Sequence, residues 1–189
     1  MYYSVYMDAH AYPAELERVV SLRGGRSIRL RPIRPEDKVR LQALHGRLSR
    51  DTIYSRFFSH LPVLTDERAA YFTTVDYDRR LAIVAVEGAG DDEQIVGVAR
   101  YDCQPDDNAE LAIVVEDRVQ RLGIGSVLLA AMIDAARQRG VRTIVADVLG
   151  ENARMLHLLR ETHLPYNATR SSEVVRVELD LTSGRAPGG

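Results

Sequence analysis

The sequence contains a single cysteine, Cys103, which excludes an internal disulfide and any multi-cysteine zinc site and suits a reducing compartment. An excess of charge of one sign is lacking too, with 27 acidic residues against 25 basic ones. A formal net charge of −2 and a pI near 6.2 give no global attraction to phosphate backbones, and no local basic patch is evident, so nucleic acid is not an expected partner. No apolar run approaches the roughly 18 residues that a membrane span requires, and the first twelve residues carry neither a basic segment nor a continuous apolar one. The expectation is a cytoplasmic protein with no export signal and no membrane partner. Asn167-Ala168-Thr169 fits a glycosylation acceptor, but so short a pattern arises by chance. His157, Glu161 and His163 do not fit the His-Glu-x-x-His zinc pattern, and histidines six apart point to different helix faces, so no metal is expected.

What is present suits one domain. With 189 residues, 46% of them hydrophobic, the chain can fill one sizeable core. Residues 1–12, rich in tyrosine, are expected as an N-terminal extension and 183–189 as a flexible tail, leaving 13–182 as the domain. Val19 to Leu22 and Ser27 to Ile33 alternate across Gly24-Gly25, which predicts a hairpin at a sheet edge. Pro35-Glu36-Asp37 opens a helix over 36–48, and Ser49 and Thr65 are N-cap candidates for short helices over 50–58 and 66–73. Three runs rich in valine and isoleucine follow, Leu81 to Glu87, Ile95 to Tyr101 and Glu110 to Val115, expected as consecutive antiparallel strands. The strongest helical stripe runs from Ser126 to Arg139, before a strand at Thr143 to Leu149, a helix at Asn152 to Thr162 and a closing strand at Val174 to Leu181. This order predicts an α+β protein rather than a regular parallel one.

Between Val115 and the strongest helix lies Glu116-Asp-Arg-Val-Gln120-Arg-Leu-Gly-Ile-Gly-Ser126. A helix N-terminus offers unpaired N–H groups and a partial positive charge, and glycines at positions 123 and 125 would let a diphosphate approach the backbone. A dinucleotide fold would need Gly-x-Gly-x-x-Gly directly after its strand. Here Leu128 stands at the third glycine, and five residues separate Val115 from Arg121, although Asp147 lies about 20 residues on, as a ribose-binding acid would. A nucleoside-triphosphate loop needs a lysine where Ser126 stands.

Gln120-Arg121-Leu122-Gly123-Ile124-Gly125 resembles the Gln/Arg-x-x-Gly-x-Gly/Ala motif of the GNAT acetyltransferases. Tyr12-Pro-Ala-Glu-Leu16, Leu30-Arg-Pro-Ile-Arg-Pro-Glu-Asp37, Arg56-Phe-Phe-Ser59, Asp76-Tyr-Asp78 and Asn152-x-x-Met-Leu156 are similar to the bacterial protein-lysine acetyltransferase branch, over about residues 12–181. The resemblance implies a mixed, mostly antiparallel sheet, splayed between the family's fourth and fifth strands, here Glu110–Val115 and Thr143–Leu149. It implies acetyl-CoA as co-substrate, a protein lysine as acceptor, and self-association to a homodimer as common in such folds. By the same resemblance Ile113, Val114 and Val115 would offer backbone groups to the pantetheine arm. Gln120, Arg121, Leu122, Gly123, Ile124, Gly125 and Ser126 would surround the diphosphate, and Asn152 would meet the pantetheine or thioester end.

Acetyl transfer needs a neutral amine, yet a lysine amine has a pKa near 10.4 in water, so a base is wanted near the sheet opening. The resemblance puts it at Glu110, in Ala109-Glu110-Leu111-Ala112, against the ordinary fate of a solvent-facing strand glutamate. A backbone N–H near Val115 would meet the negative oxygen. Tyr166 is the candidate proton donor to the departing thiolate, set against a rim or core role. This region departs from the family: His163-Leu164 replaces a Gly-Phe pair, and Pro165-Tyr166 is expected after a shortened loop. Tyr54, Arg56, Phe57 and Phe58 are candidates to line the acceptor groove, with core packing as the alternative for the two phenylalanines. Cys103, flanked by Gln, Pro and Asp, shows no activating neighbour. A small-molecule amine acceptor and a CoA-sensing module without chemistry remain open readings.

Overall fold

Valine and isoleucine runs of seven to ten residues cannot hide both faces unless something covers each side, and the architecture supplies both covers. The computed structural model describes residues 11–105 and 108–183; the expectations for residues 1–10 and 184–189 lie outside the described residues. The strands are β1 (Arg18–Ser21), β2 (Ser27–Pro32), β3 (Arg80–Glu87), β4 (Gln94–Cys103), β5 (Asn108–Val115), β6 (Thr143–Leu149), β7 (Tyr166–Ser171) and β8 (Val174–Asp180). They form one sheet in the order β1-β2-β3-β4-β5-β6-β8-β7, antiparallel throughout except for the parallel pair β5–β6. The helices are α1 (Lys38–Arg47), α2 (Arg50–Phe57), α3 (Asp66–Thr73), α4 (Ile124–Gln138) and α5 (Ala153–Arg160). The fold is therefore α+β, as the order of periodic segments predicts.

Along β3, Leu81, Ile83 and Ala85 pack with Leu128 and Met132 of α4, while Ala82, Val84 and Val86 pack with Leu41 and Leu44 of α1 and Ala69 of α3. The alternation is real, but both phases are apolar, because the sheet is sandwiched. Local signals set the helix ends: Ser49 Oγ accepts from Thr52 N at 3.2 Å and Thr65 Oγ1 from Arg68 N at 3.4 Å. The expected helix over 36–48 begins as a 3-10 turn, Pro35–Asp37, before α1.

Asp37 has a second task. Its carboxylate takes both Nη groups of Arg31 at 2.7 Å each and the backbone N–H of Arg34 at 2.8 Å, while Arg31 Nη2 also reaches Glu93 at 2.5 Å. Both Arg31 and Asp37 are almost fully buried. This bidentate pair clamps β2 to the start of α1 and to the β3–β4 connection. Its two carboxylates push the Arg31 guanidinium further toward its charged form, against the opposing effect of burial. Tyr12 is fastened nearby: its hydroxyl donates to Glu17 at 2.6 Å, and Arg34 lies 4.5 Å over its ring.

The structure corrects the end of the chain. Where no strand is expected between the helix at Asn152 to Thr162 and the closing strand, Tyr166–Ser171 forms one, β7, paired antiparallel along β8 from Tyr166↔Leu179 to Ser171↔Val174. Every residue of β7 is exposed, so no alternation of apolar residues was needed, and the hydrophobic signature of a strand is absent. Its partner's backbone, not its side chains, makes it a strand.

Candidate active site

β5 and β6 pair through only three rungs, Asn108↔Thr143, Ala109↔Ile144 and Glu110↔Val145. Beyond Glu110, β5 stays on β4 as far as Val115↔Gly97, and β6 stays on β8 as far as Leu149↔Val174. The two strands fork at Glu110. Ile113, Val114 and Val115, all half-buried, therefore have a strand on one side only, and the open edge runs about 17 Å from Glu110 to Val115 at ~3.3 Å per residue. Glu110 is exposed at the vertex and faces a cleft of about 380 Å³ with Asn108, Val145 and Arg176.

At the far end of the open edge stands the glycine loop. α4 begins at Ile124, two residues before the expected Ser126, because Gly123 at φ 93° supplies the left-handed turn that starts it. Arg121 is also left-handed, at φ 67°. Among the described residues no backbone N–H from Arg121 to Ser126 donates a hydrogen bond, and the first α4 bond is Val127 N to Gly123 O at 3.1 Å. The result is a run of unpaired donors at the positive end of the longest helix. At Gly125 a Cβ would lie 3.4 Å from Leu158 Cδ2 and 4.0 Å from Val115 Cγ2, so any larger side chain would close the space between α4, α5 and the end of β5. Ile124 itself turns inward and is buried, Leu122 is half-buried, and Arg121 and Ser126 are exposed.

Gln120 ties the loop together. Its Nε2 donates to the Val115 carbonyl at 3.0 Å, and its Oε1 accepts from Arg154 of α5. Asn152 caps α5 through Oδ1, which accepts from Met155 N at 3.1 Å, leaving its side-chain NH2 clear of that bond. Arg154 is a participant that sequence reasoning missed; a cation two residues beyond a capping asparagine at the same helix start was the available signal.

Glu110 thus stands at one end of the open edge, and at its other end Val115 is tied through Gln120 to the glycine loop and through Arg154 to α5, the helix that Asn152 caps. Tyr166 is elsewhere. It lies in one row with Leu179, Ile144 and Ala109, three strand spacings or about 14 Å from β5, and is half-exposed on the outermost strand. Burial pushes the Cys103 thiol up, the opposite of what a nucleophile needs. Phe58 is exposed, whereas Arg56 and Phe57 line a separate cavity under α1 and α2. Burial pulls the Arg56 guanidinium down to about 10, although Glu110 and Asp102 act to raise it. Among the described residues no helix is long and apolar enough to cross a membrane.

Comparison with known proteins places these features in context. The model of the acetyltransferase (GNAT) family matches residues 49–163. An acetyltransferase of Pseudomonas aeruginosa is 31% identical over 141 residues, 74% of this chain and 76% of its own length. Acetyltransferase Pat of Mycolicibacterium smegmatis is 34% identical over 144 residues; the match takes in 74% of this chain but 42% of that protein. Among solved structures, the GNAT domain of S. lividans PAT superposes with a TM-score of 0.81 at 33% identity, covering 89% of this chain and 99% of that domain.

Proposed function

The chain belongs to the acetyltransferase (GNAT) family, and we propose that it carries an acetyl group from acetyl-CoA to a protein lysine, with Glu110 as general base. Family membership makes it a transferase that uses acetyl-CoA, whose thioester supplies an activated acyl carbon. The observation that carries the finer reading is the fork. A strand edge left unpaired beyond Glu110 leads directly to the unpaired N–H groups of 121–126. The residues fit the ligand chemically: the loop offers donors for a diphosphate, the 113–115 edge offers strand-like pairing for an amide-bearing arm, and the side-chain amide of Asn152, at the start of α5, would meet the pantetheine or thioester end. In this reading Glu110 takes the proton from the attacking amine, and a backbone N–H near Val115 faces the acyl oxygen.

Protein lysine as acceptor is what the resemblance to the bacterial protein-lysine acetyltransferase branch implies, and the matches to acetyltransferase Pat of M. smegmatis and to the GNAT domain of S. lividans PAT are in keeping with it. Two measurements test the proposal. Acetyl-CoA should raise the melting temperature by mass action, and Glu110→Gln should keep that shift while lowering kcat by about 10²–10⁴-fold. A fully active Glu110→Gln enzyme removes the base, and modification of free amines with no protein lysine touched removes the acceptor.

A further inference from the structure

The cavity under α1 and α2 takes no part in the mechanism above. It measures about 40 Å³, room for a carboxylate group or two to three waters at roughly 15 Å³ each. Its wall is apolar, built from residues such as Leu44, Phe57, Val98 and Ala112, except for Arg56, Arg100 and His45. Three buried side-chain atoms in the described residues lack a hydrogen-bond partner, and two of them, Arg100 Nε and His45 Nε2, belong to this wall.

Arg100 is 5% exposed. It donates Nη2 to the Phe72 carbonyl at 3.0 Å and lies 4.5 Å over the Phe72 ring, but the carboxylate closest to its Nε is Asp102 at 3.8 Å. Asp102 is already committed to Arg80 at 2.9 Å. Arg56 makes no hydrogen bond and no ion pair among the described residues; it lies 4.8 Å over the ring of Phe57. Burial pulls both guanidiniums down to about 10, and Arg56 lowers Arg100 further by like-charge repulsion. Arg100, buried, and Arg56, half-buried, share a small cavity in which the only carboxylates acting on them are Asp102, held by Arg80, and Glu110 at the vertex, neither within hydrogen-bond distance of either guanidinium among the described residues, so a buried cation is left for a ligand to complete.

The cavity is in register with the fork. Ala112, on its wall, pairs with Arg100, and Glu110, two residues back on the same face of β5, pairs with Asp102. A group seated between the arginines therefore lies about 7 Å of strand from the vertex, a few covalent bonds from any atom reacting at Glu110.

We propose that Arg56 and Arg100 bind a free carboxylate on one of the two reacting partners, a short dicarboxylic acyl donor or an acidic residue beside the acceptor lysine. This rests on the acyl-transfer reading above. The transfer itself is unchanged: the amine nitrogen forms the new C–N bond as the C–S bond breaks. The bond's electron pair leaves with the CoA sulfur, the amine's proton passes to Glu110 and on to solvent, and the thiolate takes a proton from solvent, giving amide and free CoA. Arginine suits the task because its planar fork meets a carboxylate with two parallel hydrogen bonds.

The test compares neutral and carboxylated isosteres in two arms with the full chain. The donor arm sets succinyl-CoA against butyryl-CoA; the acceptor arm sets lysine peptides flanked by Asp against the same peptides flanked by Asn. In one arm the carboxylate should raise kcat/KM about tenfold or more. Arg56→Gln should bring that ratio close to one, with Arg56→Lys between. A ratio below about two in both arms, or one that survives Arg56→Gln, overturns the proposal, and the native-chain comparison stands whether or not a variant folds. Melting shifts with CoA, run alongside, separate the two ideas: no shift removes acyl transfer and this proposal together, whereas a shift without carboxylate preference removes this proposal alone.

Discussion

Gln120 donates its side-chain amide to the backbone carbonyl of Val115 at 3.0 Å, so the last residue of the open strand edge is bound to the first residue of the glycine motif. The same side chain accepts from Arg154 on α5. One glutamine therefore fixes the distance between the edge, the loop and the next helix.

Replacing it should loosen the opening without touching the chemistry. Gln120→Ala is expected to raise the KM for acetyl-CoA about five- to tenfold, the loss of roughly one hydrogen bond, with kcat changed less than threefold. Steady-state kinetics at varied acetyl-CoA settles it; an unchanged KM would show that the loop is held by other means.

Tyr166 provides a contrast. Its place on the outer edge strand, about 14 Å from β5, leaves the proton for the departing thiolate to come from solvent, which an ordinary thiol pKa near 8.5 permits. Tyr166→Phe should lower kcat less than threefold. A loss of a hundredfold would instead mean that the strand moves during turnover.

The Arg31–Asp37 pair makes a demand on stability. Asp37→Asn removes one charge of a buried bidentate bridge and leaves Arg31 leaning on Glu93 alone. The expected cost is about 3 kcal/mol, seen as a melting point lower by about 6–12 °C. A loss under 1 kcal/mol would show that Glu93 alone compensates.

His45 sets a pH window. Burial lowers its pKa from the ordinary histidine value of about 6.5, with the Leu61 carbonyl pulling the other way. The folded chain thus binds the proton less readily than the unfolded chain. Stability from the neutral ring is complete above about pH 6.5 and declines as pH falls through the lowered folded value, by at most ~1.4 kcal/mol per pH unit. His45→Leu should flatten that decline in melting temperature between pH 7 and 5; parallel curves for the two proteins would exclude it.

Much of this was legible in the chain. Ser49 and Thr65 cap the helices they were expected to cap, and the α4 stripe and its glycines stand where spacing put them, because caps, amphipathic faces and positive backbone angles are properties of a few consecutive residues. Even so, α4 starts at Ile124 rather than at the expected Ser126, because Gly123 in the left-handed turn opens the helix two residues earlier.

The amino-acid order by itself determined which segments are strands with buried faces, which are helices, and that a glycine-lined helix start follows β5. Only the tertiary structure decided that β5 and β6 part after three rungs at Glu110, that β7 exists, and that Arg56 and Arg100 converge on one cavity. The physical reason is distance along the chain. Periodicity and turn chemistry are written within a dozen residues, whereas register between strands more than 30 residues apart, and the meeting of two arginines 44 apart, are settled by how the whole core packs.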